Sequence, residues 1–417
     1  MRLLINICAH DGIVSHYNGV GSMTIRYINV FDKICNDLNI DYKINLFTPE
    51  YDKISFGYDD YIFNKHNNMK NVTIYQISNG SNKTVNFGTV KNWKLLCENT
   101  AKVINDMDFS SYDKVLTICN DTPFCCLINK LKCLDKHIKV LILHSSIKIH
   151  KVDSAIKDSE KNYNERLEWE MDGINYINNE KNSYVGSICK FFEDHLVNEY
   201  GLNRDSIIPL YNGELLYENK IFKYDNNLKQ IIDELNNYDT IMISYGRAEE
   251  YKKLDTCFKL GKVLNIPSIV VAQLYFKGQP IEEYYKRSAE ENDGILYIDP
   301  PFGLPSYILN NFKGKIICLI PSEEEIMGLI VNEVRRLYKD NILIVANDKG
   351  GLKEQITSGY DGVLVDLNNL KESALEITKF LDLKKMKKMA LNSRKTLEKN
   401  YDFYKNAVQF INKIMEV

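Results

Sequence analysis

No stretch of the 417 residues reaches the roughly 18 consecutive apolar residues that a membrane-spanning helix needs. Residues 1–8 (MRLLINIC) are too short for a secretion signal, and polar residues follow at once, so they read as a first buried strand of a cytoplasmic chain. An excess of one charge is also missing. Lys and Arg number 53 against 56 Asp and Glu, a net charge of −3, which offers no electrostatic footprint for nucleic acid. Cysteine is present ten times, but no zinc-type quartet is spaced along the chain. Without a secretion signal these cysteines read as reduced thiols, and no structural metal is expected. There is no internal repeat and no disordered block. The aromatic residues are scattered and serve packing.

What is present is the pattern of a globular α/β chain. Hydrophobic content of 44% supports an ample core, and the length suits two or three domains. Short apolar runs alternate with helix-like segments, as in folds built on parallel sheets. Strands are expected at 3–8, 42–47, 72–76, 114–118, 139–143, 184–185 and 207–210, then at 240–244, 268–272, 294–298, 315–320, 342–345 and 362–365. Helices are expected at 22–38, 93–107, 122–131, 162–178, 255–263, 328–337 and 353–357. The Asn-rich stretch 226–237 begins a second domain, and 400–417 is amphipathic.

The most informative segment runs from Pro321 to Glu333. The apolar run 316–320 reads as a buried strand, which Pro321 and Ser322 end. Gly328 permits close backbone approach, and 329–337 has helical apolar spacing. Strand, short loop and helix N-terminus therefore follow one another, and the N–H groups of such a terminus suit a phosphate. Glu325 stands before the helix and Glu333 on it. Eight helical rises span about 12 Å, the reach from a sugar ring across a diphosphate to a ribose. Among 56 acidic residues two glutamates alone would be a weak signal. The preceding strand, the Gly328–Leu329 pair and the later Gly350, Gly351, Leu352 and Glu354 strengthen it.

This segment resembles the E-x7-E motif of retaining glycosyltransferases of the two-domain GT-B architecture, glycosyltransferase family 4 in particular. The resemblance covers most of the chain and is strongest from 246 to 365. It implies two Rossmann-like α/β domains with parallel sheets facing across a cleft. An acceptor domain spans 1–213, a donor domain 214–399, and a final helix, 400–417, crosses back to the first. It implies that Glu325 binds hydroxyls of the donor sugar, that Met327, Gly328 and Leu329 offer backbone to the phosphates, and that Glu333 holds the ribose.

Three further constellations fit. Gly19 and Gly21 precede a helix, but Thr24 in third place excludes a Gly-x-Gly-x-x-Gly dinucleotide fingerprint. In the family this loop lies over the donor phosphates and is often Gly-Gly, where this chain has Asn18 and Gly19; a plain strand-to-helix turn is the other reading. Arg247 and Lys252, five apart after a strand, match the family's Gly-Arg…Lys motif and supply cations for a departing diphosphate, with Lys253 as the fallback. His144 ends an apolar strand, where ligands meet open parallel sheets. The resemblance gives it a role at the donor sugar; His150 competes, and Ser145 and Ser146 lie alongside. The run Asp348–Leu352 supports the fold more than the site, since residues 338–341 replace the family's Gly-x-Pro turn.

The resemblance implies retaining transfer from a nucleotide sugar, most commonly a UDP-sugar, with no metal and no cofactor beyond that co-substrate. No Asp-x-Asp motif stands in a suitable place. With no obvious nucleophile, the leaving phosphate itself is expected to deprotonate the acceptor. An epimerase on the same fold needs an acid–base pair near C2 of the sugar, which is not found. A non-catalytic nucleotide-sugar-binding protein has little need of Arg247, Lys252, Glu325 and Glu333 together. The acceptor, a glycan, lipid, protein or small molecule, is expected against loops such as 49–67 and 147–164. The basic stretch 384–389 reads as a solvated helix face or a contact for anionic lipid.

Overall fold

The computed structural model describes all residues except 54–56, 82–87, 151–157, 219–227, 275–276, 302 and 417. The chain divides into two compact units: Met1–Leu215 with Phe403–Val417, and Leu216–Asp402.

The first unit is built on a seven-stranded sheet. Its strands are β1 (Arg2–Ala9), β2 (Asp41–Pro49), β3 (Val72–Ile77), β4 (Lys114–Asn120), β5 (His137–Ile142), β6 (Ser183–Ser187) and β7 (Ile207–Pro209). They lie in the order β3-β2-β1-β4-β5-β6-β7, every pair parallel. A parallel sheet is covered on both faces, which is why these strands read as nearly continuous apolar runs; all six residues of β5 are buried. Four neighbouring strands also share a buried polar ladder. Asn45 donates to Asn6 at 3.1 Å, Asn6 donates to Thr117 at 3.0 Å, and Thr117 Oγ1 lies 2.8 Å from His137 Nε2. Helix Phe403–Glu416 buries Phe403, Ala407, Phe410, Ile411 and Ile414, a stripe at helical spacing. Phe403 and Phe410 meet Tyr27 and Phe31 of helix Gly19–Asp37, with ring centroids 5.5 and 6.2 Å apart.

Among the described residues the second unit has six strands: β8 (Thr240–Arg247), β9 (Ser268–Gln273), β10 (Ile295–Ile298), β11 (Lys315–Ile320), β12 (Ile342–Asn347) and β13 (Val363–Val365). Their order is β10-β9-β8-β11-β12-β13, again all parallel. Alternate residues serve opposite faces. In β11, Ile316, Cys318 and Ile320 enter one core while Ile317 and Leu319 enter the other.

Both sheets reverse their strand order once. The reversal falls between β1 and β4 in the first unit and between β8 and β11 in the second. In open α/β sheets ligands bind beyond the carboxyl ends of the strands at such a switch point.

One expected helix is corrected. Residues 122–131 hold only a 3₁₀ turn, Thr122–Leu127, with Pro123 at its start. The turn is wholly buried, so its apolar residues record burial rather than a helical face. Among the described residues no helix is long and apolar enough to cross a membrane. Nine of the ten cysteines are buried and all are free thiols.

Candidate functional site

In the second unit the switch point lies between β8 and β11, and the loops that follow these strands carry most of the candidate residues. Arg247 ends β8, and Lys252 ends the 3₁₀ turn Glu250–Lys252. Glu325 lies in the loop after β11. Lys252 Nζ donates to Glu325 Oε2 at 2.7 Å, with the two side chains only 17% and 14% exposed. The loops are also joined by backbone, because Glu323 N–H donates to the Tyr251 carbonyl at 2.9 Å. Arg247 has partners within its own loop. Its Nη1 pairs with Glu249 Oε1 at 3.1 Å, and its Nη2 donates to the Tyr251 hydroxyl at 3.3 Å. Burial, with Glu249 beside it, holds the Tyr251 hydroxyl in its protonated form.

The helix after β11 begins later and ends earlier than the apolar spacing suggests, at Leu329 and Arg335, with Gly328 as its N-cap. Glu325 therefore stands in the bent loop before the helix, so the eight-rise estimate of its distance to Glu333 does not apply. Met327 and Gly328 are buried and Leu329 partly so. The Gly328 N–H is already engaged: it donates to Gln355 Oε1 at 2.7 Å, while Gln355 Nε2 donates back to the Gly328 carbonyl at 3.1 Å. Of the three backbone positions read as phosphate contacts, Gly328 thus has its donor committed within the protein. Glu333 is partly buried on the helix, close enough to Cys318 that burial and its charge together raise that thiol to about 12.

Two supports hold this loop from beneath. Gly350 and Gly351, after β12, press on its backbone, and Gly351 N–H donates to the Glu325 carbonyl at 2.8 Å. A Cβ at Gly351 would fall 1.7 Å from the Ile326 carbonyl oxygen, so only glycine fits there. The fully buried Arg335 pairs with Asp361 at 2.9 Å and donates to the Gln355 carbonyl at 2.7 Å, which fixes the residue that grips Gly328.

The remaining candidates belong to the first unit. His144 follows β5, partly buried. Its Nε2 lies 2.9 Å from Asn120 Oδ1, and its N–H donates to Asp121 at 3.4 Å. Burial lowers its pKa to about 4, with Asp121 opposing and His10 adding to the shift, so the ring is neutral at pH 7. Asp121 follows β4 at φ +71° and lies 3.7 Å from His10 Nδ1. Ser145 accepts from Arg166 at 3.1 Å, Ser146 meets His195 at 2.8 Å, and His150 donates its N–H to the Ser146 carbonyl at 2.9 Å. Gly19 opens helix Gly19–Asp37 and is exposed. Gly21 is buried, its N–H taken by Asn18 Oδ1 at 3.0 Å. Beneath this loop Asp11 accepts from Gly12 N–H, Ser15 Oγ and Asn18 N–H at 2.9, 2.8 and 3.1 Å. Parts of the loops read as the acceptor side, 54–56 and 151–157, lie outside the described residues.

Sequence reasoning passed over Glu249, Gln355, Asp121 and Asp11. Asp11 and Asp121 closely follow strands that flank the switch point, and that position was the available signal. Gln355 had none, because its grip on Gly328 is tertiary.

Residues 225–396 match the family model described as glycosyl transferases group 1. No curated protein matches the sequence. Solved structures do resemble the fold. A sucrose-phosphate synthase from Thermosynechococcus elongatus is similar with a TM-score of 0.73 at 13% identity, over 100% of this chain and 99% of that one. A glycosyltransferase from Rickettsia africae is similar at 0.68 and 14% identity, over 100% and 98%. Anabaena HepE, solved in complex with UDP-glucose, is similar at 0.67 and 13% identity, over 99% and 100%. Likeness at such identity carries the fold: two Rossmann-like domains with parallel sheets, the GT-B architecture.

Proposed function

We propose that this enzyme, a glycosyltransferase of GT-B fold, moves a sugar from a UDP-sugar to an acceptor hydroxyl with retention of anomeric configuration and without a bound metal ion. The observation that carries the reading is the contact of Lys252 with Glu325 at the β8/β11 switch point. A cation suited to a departing diphosphate there meets a carboxylate suited to sugar hydroxyls. The match over 225–396 supports glycosyl transfer, and the UDP-glucose in the HepE complex supports the choice of donor.

In this reading Arg247 and Lys252 stabilise the negative charge that grows on the diphosphate as the glycosidic bond breaks. Glu325 orients the donor sugar and Glu333 holds the ribose. The backbone at Met327 and Leu329 faces the phosphates, while Gly328 shapes the turn. Gly19 and Gly21 bring a second close backbone approach to the donor. The leaving phosphate takes the proton of the acceptor hydroxyl as that oxygen attacks on the same face, so the new bond keeps the old configuration. His144 acts at the donor sugar as a neutral imidazole.

The test is nucleotide release from UDP-, GDP-, ADP- and TDP-sugars in EDTA, beside Glu333→Ala, with the released sugar's anomer read by proton NMR. Release from a UDP-sugar with the donor's own anomer formed first, lost in the variant, is expected. Release that needs a divalent cation, or an inverted anomer, would overturn the corresponding part of the mechanism. Absence of both turnover and UDP binding would overturn the whole.

A further inference from the structure

We propose that Glu249 is a resident counter-ion of Arg247, a positioning residue that holds the guanidinium until a donor arrives and gives it up to the incoming diphosphate. The inference rests on the reading of Arg247 as a diphosphate-binding cation.

Three residues of one short loop form the arrangement. Glu249 Oε1 lies 3.1 Å from Arg247 Nη1, Arg247 Nη2 donates to the Tyr251 hydroxyl at 3.3 Å, and that hydroxyl bonds to Glu249 in turn. The backbone fixes them together. Ala248 N–H donates to the Gln273 carbonyl of β9 at 2.8 Å, Glu249 N–H to the Arg247 carbonyl at 2.9 Å, and Lys252 N–H to the Glu249 carbonyl at 3.1 Å. Arg247 is 28% exposed and Glu249 18%, so solvent screens the pair only in part.

A guanidinium offers the same two-pronged face to a carboxylate and to a phosphate. With Glu249 in place, Arg247 is neutralised and its rotamer is set before any donor arrives. A diphosphate that takes Arg247 displaces this carboxylate and then stands beside a like charge. Binding is weakened by that competition, and release of the nucleoside diphosphate after transfer is eased by the carboxylate's return. Lys252 is held in the same way by Glu325. Glu325, however, has sugar hydroxyls to receive when it lets go, whereas Glu249 on release keeps the Tyr251 hydroxyl beside it.

The experiment is calorimetric binding of UDP to the full chain as wild type, Glu249→Gln, Arg247→Ala and the double variant, with folding checked by thermal unfolding. Removing one partly shielded like charge is expected to tighten UDP about five- to tenfold, and to lower kcat together with KM for the donor as product release slows. In the Arg247→Ala background the gain should vanish. Unchanged or weaker UDP binding by folded Glu249→Gln would overturn the inference, as would a gain that survives without Arg247. If Glu249→Gln does not fold, Glu249→Ala is read against the same outcomes. Failure of the wild type to bind UDP would remove the functional reading and this inference with it, a result distinct from an unchanged Glu249→Gln.

Discussion

Lys252 and Glu325 stand 73 positions apart in the chain and 2.7 Å apart in space. The sheet order is the cause. β8 and β11 pair directly, Met242 against Ile317, so the loops that leave their carboxyl ends emerge side by side. If the pair acts on one bound donor, Lys252→Ala should lower kcat by about 10²–10³-fold, the usual loss for a group that stabilises transition-state charge. Glu325→Gln should lose a comparable factor, and the double variant less than the product of the two, because they serve one substrate. Steady-state turnover of the four proteins decides it; kcat within threefold of wild type for Lys252→Ala would take the lysine out of the site.

The strands were legible because both faces of each parallel sheet are covered. Every residue of a run such as Ile316–Ile320 is buried, and such a run announces itself. Several helices were not. Lys190–Tyr200 and Pro280–Glu291 bury only four and three residues each, so their polar faces dominate the sequence. The residues 122–131 misled in the opposite sense, since total burial mimics a helix when no turn is exposed. In the candidate site, resemblance to the family's motifs pointed to Arg247, Lys252, Glu325 and Glu333. It could not find what the loops do to one another: Gln355 gripping Gly328, or Glu249 holding Arg247. Those depend on atoms brought together by the fold, and no periodicity encodes them.

Arg335 and Asp361 form a fully buried ion pair at 2.9 Å beneath the Gly328 turn. Removing one partner strands the other's charge, so Asp361→Asn or Arg335→Met should cost about 3–5 kcal/mol. Replacing both with apolar residues of similar volume should cost less than either alone. Urea unfolding of the four proteins measures this, and single-variant losses below about 1 kcal/mol would mean that the pair is solvated.

Gly350 and Gly278 separate backbone strain from lack of space. Both have positive φ, +55° and +81°, but a Cβ at Gly350 would lie 2.4 Å from the Glu325 carbonyl oxygen while Gly278 has nothing within 4 Å. Alanine at either position incurs about 1–2 kcal/mol of left-handed strain. At Gly350 it must also push the Glu325 loop. Gly350→Ala should therefore weaken donor binding more than tenfold, and Gly278→Ala should leave it unchanged at a similar loss of thermal stability. Equal donor affinity in the two variants would show that the contact does not position Glu325.

Three histidines, the buried His66 and His137 and the partly buried His144, each have a pKa lowered to about 4, in every case first by burial. The unfolded chain takes up these protons near pH 6.5. The fold therefore holds its full stability above that value and loses it as pH falls from 6.5 towards 4, on the order of 3 kcal/mol for each histidine. His137 offers the clearest test, because it closes the buried polar ladder and has a cation beside it. Thr117 Oγ1 accepts from Asn6 and lies 2.8 Å from His137 Nε2. Lys139, close by, adds a cation that opposes protonation further. His137→Gln keeps a carbonyl oxygen able to accept from Thr117 and cannot take the proton. Its stability should start lower at pH 7.5 but fall less steeply to pH 5 than that of the wild type. Urea midpoints at pH 7.5, 6.5, 5.5 and 5.0 compare the slopes, and parallel slopes would mean that His137 is not among the groups that drive acid unfolding.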